Sequence, residues 1–503
     1  MHPQSVFKTG SPPPSNSTNP IHPTAAHFLT QLLSTLSALP HPVPDPQTIT
    51  AARTILTHHL PHTGLGLEHT AQHLLSLLPS FARTTAHYYA FVTGSVTPAA
   101  HLADLLVSTV DANVQVHLPQ DSLVTEVEDV ALRLLCQLFR LDEREWAGRV
   151  ITTGATAGNV LGLACGREEV LNRRLRARGV DEGRGGVGEL GLLEACIRAG
   201  ATGVKVFSAM AHSSLLKAAA VVGIGRGNVV DIGRVEKPWE IDLARLKEEL
   251  ERAEAEGVVS IVVVSFGEVN TGRFDGGMEE IRKLADEYGA WLHTDAAFGI
   301  FARVLGSEES GDGGFARGLE LADSIVGDGH KILNVPYDCG FFFTRDSRVL
   351  LATFVNTAPY LSPSSSPDGI QSPLNLGLEN SRRFRALPVY ATLCAYGVSG
   401  YKDLLSRLVA HSRNIATFIH GHGSYQLLNG PIGDIFVIVL FSAKEDGLNH
   451  RLKKAINDTR KMYVSGTMWS NRPAIRIAVA NWQVESDELE VVKEVLQELA
   501  RQT

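Results

Sequence analysis

Lys331 directly follows His330 in the stretch DGHKILNVPYDCG, residues 328–340, just past the short apolar run ADSIVGD. An amine held at a strand end is either a solvated surface cation or a covalent handle for a carbonyl carbon. Three other places carry comparable chemistry. TTGATAGN, residues 152–159, is a run of small residues entering a helix, whose free N–H groups suit an anion such as phosphate. MAHSS puts His212 at a strand–helix junction, and HTDAAFG puts Asp295 after the apolar AWLH. Each has an ordinary explanation: a small-residue turn, a capping or packed imidazole, a capping carboxylate, a solvated Lys–His pair. What separates them from those explanations is their placement at equivalent ends of consecutive strands. In an open α/β sheet, ligands gather at the carboxyl ends.

The elements that must position these groups are legible from residue 148 onward. Short β-rich segments (RVITTG, GVKVFSA, VVSIVVVSFG, AWLHTDAAFG, DSIVGD, CGFFFTRD) alternate with helical ones such as ATAGNVLGLACGREEVLNRRLRA and GGMEEIRKLADEYG. That alternation predicts an α/β domain with a mostly parallel sheet covered on both faces. GVDEGRGGVGELG and GSEESGDGGFARG read as glycine-rich surface loops, and NTAPYLSPSSSPDGIQSP, residues 356–373, as a long Pro/Ser loop of the kind that forms lids. Before residue 121 the chain shows helical periodicity broken by Pro and His. After about residue 385 come a long helical region, the strands DIFVIVLFS and AIRIAVANW, and a final helix SDELEVVKEVLQELA, together a smaller α/β domain. The expected division is an arm over 1–24, a helical segment over 25–120, a large domain over 121–385 and a small domain over 386–503.

Bulk properties narrow the class. A chain of 503 residues exceeds one compact core, and 44% hydrophobic with 20% charged residues is ordinary for a globular protein. A net charge of −8 gives no electrostatic case for nucleic acid or acidic membranes. The longest apolar runs fall far short of the roughly 20 residues that span a bilayer. The five cysteines are scattered without a CxxC pair, so reduced thiols in a cytoplasmic enzyme are expected rather than disulfides or a metal site. Residues 1–24, rich in Pro, Ser and Asn, lack the apolar core of a signal peptide and read as a disordered arm.

Taken in order, TTGATAGN…GR, AHSSLLKAA, HTDAAFG, DGHKILNVPYDCG and ENSRRFRAL resemble the successive motifs of pyridoxal-phosphate-dependent group II amino-acid decarboxylases of fold type I. The likeness runs from about residue 87 to AIRIAVANW. FGEVNTGRFD and DGHKILNVPYDCG point to a less characterised decarboxylase-like branch. The resemblance implies a large domain with a mostly parallel seven-stranded sheet, a smaller C-terminal α/β domain, bound pyridoxal 5'-phosphate and a homodimer. It also implies decarboxylation of an L-amino acid to an amine through a Lys331 Schiff base and a quinonoid. Two other readings stand beside it: a carbon–carbon lyase or oxygen-using deaminase on the same cofactor, and a catalytically silent scaffold.

By the same resemblance, Asp295 pairs with the pyridine nitrogen and keeps it protonated, and His212 stacks on the ring. Ala155 and Thr156 meet the phosphate, Ala297 borders the cofactor, and Asn270 and Thr271 lie near it. His330 contacts phosphate or substrate carboxylate, or orients Lys331. Arg476 reads a substrate carboxylate or forms a buried ion pair; Arg382 and Arg383 are further guanidiniums suited to carboxylates. Tyr88 lines a substrate pocket or simply packs. Tyr360, in the Pro/Ser loop, follows Lys331 at the spacing of a mobile-loop tyrosine that delivers a proton to Cα. Two departures stand out. Ala157 replaces an acidic residue common in the phosphate turn, and Asp328 sits where better-known members often have Asn, a carboxylate that would repel phosphate and suits orienting a neighbour instead.

Overall fold

The computed structural model describes residues 23–180, 186–306, 315–356 and 369–502. Five helices come first: α1 (Pro23–Ala38), α2 (Pro46–Thr54), α3 (Leu67–Leu77), α4 (Pro98–Val110) and α5 (Val124–Leu138). Helix α1 begins inside the stretch expected to be an arm; residues 1–22 lie outside the described residues. The alternating region then gives β1 (Gly148–Thr152), α6 (Ala155–Ala177), α7 (Val187–Ala199), β2 (Gly203–Ser208), α8 (Ser213–Val221), β3 (Val229–Asp231) and α9 (Leu243–Ala255). It continues with β4 (Val258–Ser265), α10 (Met278–Glu287), β5 (Trp291–Asp295), β6 (Ser324–Asp328), β7 (Gly340–Thr344) and α11 (Ser347–Phe354). The stretch read as the loop GVDEGRGGVGELG is helical from Val187 onward, with Gly191 at φ 74° breaking α7 rather than preventing it.

The seven strands form one sheet in the order β1-β7-β6-β5-β4-β2-β3. Strand β7 runs antiparallel to both neighbours, and the other pairings are parallel. Both faces are buried, which is why β4 reads as a near-continuous run of Val and Ile. Its residues still alternate: Ile261 and Val263 join the core under α6–α8, while Val262 and Val264 join the core on the opposite face. Helix α6 lies unusually close to the sheet. A Cβ on Gly158 would stand 2.0 Å from Val326, and one on Gly162 would stand 2.4 Å from the His293 ring. Those glycines, one turn apart, set the depth at which the face of α6 between them meets β5 and β6.

A second sheet, antiparallel in the order β10-β11-β9-β8, comprises β8 (Tyr425–Leu427), β9 (Ile438–Ala443), β10 (Ser465–Trp469) and β11 (Arg472–Ala478). It packs with α12 (Ala386–Gly421, broken at Gly397), α13 (Asp446–Asp458) and α14 (Glu488–Arg501). The N-terminal segment is sewn to this region. Tyr89 donates its amide to Tyr463 O at 2.8 Å, Tyr463 returns one to His87 O, and Ala478 donates to Tyr89 O. Just beyond that seam, Phe91, Val92 and Ser95 adopt left-handed φ near 60°. Non-glycine residues hold that conformation only where their surroundings enforce it.

Candidate active site

The strand ends of the large sheet open on one cavity of about 450 Å³. Lys331, His330 and Asp328 face it from the end of β6, Asp295 and Ala297 from β5, and His212 from the start of α8. Ala155, Thr156 and Ala157 border it from the start of α6. Arg476, on β11 of the second sheet, closes it from another side, and Phe91 and Val92 from the N-terminal loop.

Lys331 is not a solvated cation. Its Nζ lies 2.8 Å from Asp328 Oδ2 and 5.8 Å from the centre of the Phe298 ring. Asp328 Oδ1 also accepts the Ala155 amide at 2.6 Å, so this carboxylate caps α6 and fixes the lysine at once. The Thr156 and Ala157 amides, next in the first turn of α6, have no partners within the helix and are available to an anion, whereas the Gly158 amide donates to Gly154 O at 3.0 Å. The turn itself is tight: a Cβ on Gly340 would sit 2.6 Å from Gly154 Cα, so β7 can approach the turn only without a side chain there.

Asp295, nearly buried, accepts from Asn159 Nδ2 at 2.8 Å through Oδ2 and from the Ala297 amide at 3.3 Å through Oδ1. His212 caps α8 and lines the cavity: its Nδ1 accepts the Ser214 amide at 3.2 Å and contacts Ser214 Oγ at 2.7 Å. Burial holds its pKa below the ordinary value, the Asp295 charge opposes this, and Lys331 and Arg476 reinforce it. His330 stacks beside Tyr337 with ring centres 4.4 Å apart, accepts the Cys339 amide at 3.3 Å, and is likewise held down by burial against Asp328.

Arg476 is buried and forms no carboxylate ion pair among the described residues. It donates from Nη1 to Val269 O at 2.9 Å and from Nε to Ser465 Oγ at 3.2 Å. Burial lowers its pKa, partly offset by Glu268. Arg382, by contrast, is the structural guanidinium: it pairs with buried Glu128 and donates to Val114 O and Ile151 O. Arg383 pairs with Asp104 at 2.6 Å.

Three of the candidate residues lie off the cavity. Asn270 and Thr271 do not line the main cavity: their amides donate to Glu268 at 2.9 and 2.8 Å, and Thr271 Oγ1 donates to the same carboxylate. The chain turns inward around Glu268, which borders the cavity in their place. Tyr88 stacks on Tyr463 at 5.2 Å and does not line it either; Phe91 and Val92 do. Sequence reasoning missed Glu268, Phe91 and Val92, although YYAFVTG carried the right aromatic neighbourhood. Tyr360 lies outside the described residues.

A mostly parallel sheet with an amine, a carboxylate and an imidazole past the ends of β6, β5 and β2, and a helix-start turn able to take an anion beside them, is the arrangement of a fold type I pyridoxal-phosphate site. Residues 53–444 match the pyridoxal-dependent decarboxylase conserved domain. The chain belongs to that family and is a pyridoxal-phosphate-dependent carboxy-lyase. It is 25% identical over 429 residues to aromatic-L-amino-acid decarboxylase of Rattus norvegicus, covering 82% of this chain and 83% of that one. Among solved structures, Oryza sativa TDC with PLP and tryptamine superposes with a TM-score of 0.82 at 22% identity, covering 97% of this chain and 99% of the other. A Rhodiola rosea 4-hydroxyphenylacetaldehyde synthase superposes at 0.78 with 20% identity, covering 96% and 99%. The residues present fit the cofactor: an amine able to form a Schiff base, a carboxylate able to pair with a ring nitrogen and an amide turn able to accept a phosphate share one cavity of adequate size.

Proposed function

We propose that this chain decarboxylates an L-amino acid to its amine in this cavity, with Lys331 as the covalent anchor of pyridoxal phosphate. The observation that carries the reading is the convergence of Lys331, Asp295 and His212 on one cavity, with Lys331 half-buried and held 2.8 Å from Asp328. When bound, the cofactor supplies a ring that accepts the electron pair left as CO2 departs. Asp295 holds a proton on the ring nitrogen. His212 covers a ring face as a neutral imidazole, and Asp328 keeps Lys331 at the strand end. Thr156 and the neighbouring first-turn amides hold the phosphate. Arg476, which lines the cavity, meets a substrate carboxylate. Tyr360 is our candidate for returning a proton to Cα, on sequence spacing alone.

We further infer a cytoplasmic homodimer. Leu102, Leu105, Leu106 and Val110 form an exposed apolar stripe along α4, a face suited to a second copy. Four free cysteines are buried and one is exposed, which suits a reducing compartment. No described helix is long and apolar enough to cross a membrane. The strands of the two sheets fall on either side of residue 385, which supports the large and small domains as proposed.

Borohydride reduction of the purified, cofactor-loaded protein tests the anchor. A peptide containing Lys331 should carry the reduced cofactor, and Lys331→Ala should carry none. Covalent labelling that persists in Lys331→Ala refutes the assignment. Incubation with common L-amino acids should then give CO2 and amine in equal amounts; aldehyde with ammonia and oxygen uptake would reassign the reaction.

A further inference from the structure

Beneath the cavity lies a run of buried side chains joined end to end. Trp291 Nε1 donates to Ser324 Oγ at 3.0 Å, and Ser324 Oγ lies 2.8 Å from His293 Nδ1. His293 Nε2 lies 2.9 Å from Asn159 Oδ1. Asn159 Nδ2 then donates twice, to Asp295 Oδ2 at 2.8 Å and to Ser214 Oγ at 3.0 Å. Ser214 touches His212 Nδ1. His293, Asn159 and Ser324 are fully buried, so water cannot substitute for a missing partner.

We propose that Asn159 is a positioning residue that fixes Asp295 as an acceptor carboxylate and His212 as the Nε2–H tautomer, with Trp291, Ser324 and His293 locking the direction of its amide. The reading rests on the cofactor assignment above.

The two ends of the run agree on one direction. An indole N–H can only donate, so Ser324 Oγ accepts from Trp291 and has its own proton for His293 Nδ1. In the arrangement that spends this proton on His293, the ring carries its own proton on Nε2 and donates to Asn159 Oδ1. Burial pushes its pKa down to about 4, which keeps the ring neutral and the tautomer meaningful. With Oδ1 engaged, the Asn159 amino group is what faces Asp295, and an ionised carboxylate is the acceptor it requires. Protonating Asp295 toward Asn159 would turn the amide over, place a second N–H donor on Ser324 and leave the serine proton without this partner. The second amino hydrogen meets Ser214 Oγ, which frees the serine proton for His212 Nδ1. The Ser214 backbone amide donates to the same nitrogen at 3.2 Å. Nδ1 is therefore an acceptor, and the His212 proton belongs on Nε2. One amide thus sets the two groups expected at the ring nitrogen and over the ring. Gly158 and Gly162 flank Asn159 and let α6 approach the strands closely enough for the amide to reach both.

The test compares pyridoxal phosphate with its 1-deaza analogue, in which C–H replaces the ring nitrogen. Binding to the purified protein is read from visible absorbance. Wild type should bind the nitrogen compound more tightly, because only it can pair with Asp295. Asn159→Leu should shrink that affinity ratio by about tenfold, the worth of one charge-assisted hydrogen bond. His293→Gln keeps an N–H for Asn159 Oδ1 and should hold the ratio within about twofold. An Asn159→Leu protein that loses affinity for both compounds equally shows a packing role and overturns the proposal. So does a His293→Gln protein that loses the ratio as fully as Asn159→Leu. Should Asn159→Leu not fold, Ser324→Ala carries the same comparison: a ratio reduced by about threefold supports the locked direction, and an unchanged ratio overturns it. If wild type binds neither compound, the cofactor assignment fails and this inference with it. Binding of both without discrimination defeats the Asn159 role alone.

Discussion

The cavity has two walls built in different ways. The sheet wall carries Lys331, Asp295 and His212 on strand ends or helix starts, each tied to buried partners a few ångströms away. The opposite wall carries Arg476, Glu268, Phe91 and Val92, brought from the small sheet, a turn and the N-terminal segment. There the chain relies on joints between distant segments: Arg476 on Val269 O, Tyr89 on Tyr463 O, Asn481 Nδ2 on Thr84 O. Phe91 is mostly exposed despite bordering the cavity. Rigid strand ends suit atoms that must stay in register with a reacting bond. A wall of joints can change its lining without disturbing them, which suits the choice of substrate.

Substitutions on the two walls should therefore separate rate from binding. The largest effect is expected from Asp295→Asn, which removes the carboxylate that holds the ring-nitrogen proton. Turnover should fall by at least about 10²-fold, comparable with loss of one strong electrostatic stabiliser. Cofactor should still bind measurably. Turnover near wild type would remove Asp295 from the chemistry and dissolve the distinction between the walls. Arg476→Gln should act differently. With one guanidinium donor already held by Val269 O, the loss should appear as a KM raised by about tenfold, the kcat staying within about threefold. A kcat loss as large as that of Asp295→Asn would place Arg476 among the reacting groups instead.

The same division explains what the sequence revealed. Strands β1, β2 and β4–β7 are legible because burial on both faces makes them apolar runs between helices, and their ends deliver Lys331, Asp295 and His212 without further assumption. Strands β3, β8 and β10 escape notice. The first two are three residues long, and SGTMW on β10 alternates buried and exposed positions without a clear apolar face. Asn270 and Thr271 look like cavity residues until Glu268 turns inward and takes their donors. Asn159 hides as the one polar residue in AGNVLGLACG, the apolar stretch over residues 157–166 of α6. Its signal is the pair of glycines at 158 and 162, whose meaning depends on His293 lying opposite. Phe91 and Val92 could not be placed because their left-handed backbone and their distance in sequence from Lys331 have no local signature.

Each wall also conceals a buried imidazole, and the smallest predicted effect concerns these. His293 lies under the sheet wall; His411, on α12, lies under the other, 3.3 Å from Tyr89 Oη. Burial pushes both down to about 4, with nearby His87 contributing at His411, against an ordinary 6.5. Above about pH 6.5 both rings are neutral whether the chain is folded or not, and their full stabilising contribution is present. As the pH falls from there toward 4, the unfolded chain takes up protons that the folded chain refuses, so stability drops by up to roughly 1.4 kcal/mol per pH unit for each ring. His411→Gln removes one of these titrations while keeping an amide that can reach the Tyr89 hydroxyl. The variant is expected to lose less stability than wild type between pH 7 and pH 5, measured as the shift in urea midpoint. His293→Gln should show the same flattening, with its preference for the nitrogen compound kept within about twofold. Equal acid sensitivity in wild type and His411→Gln would mean that His411 is not held neutral by the fold. The seam joining Tyr89 to the C-terminal region would then owe nothing to it.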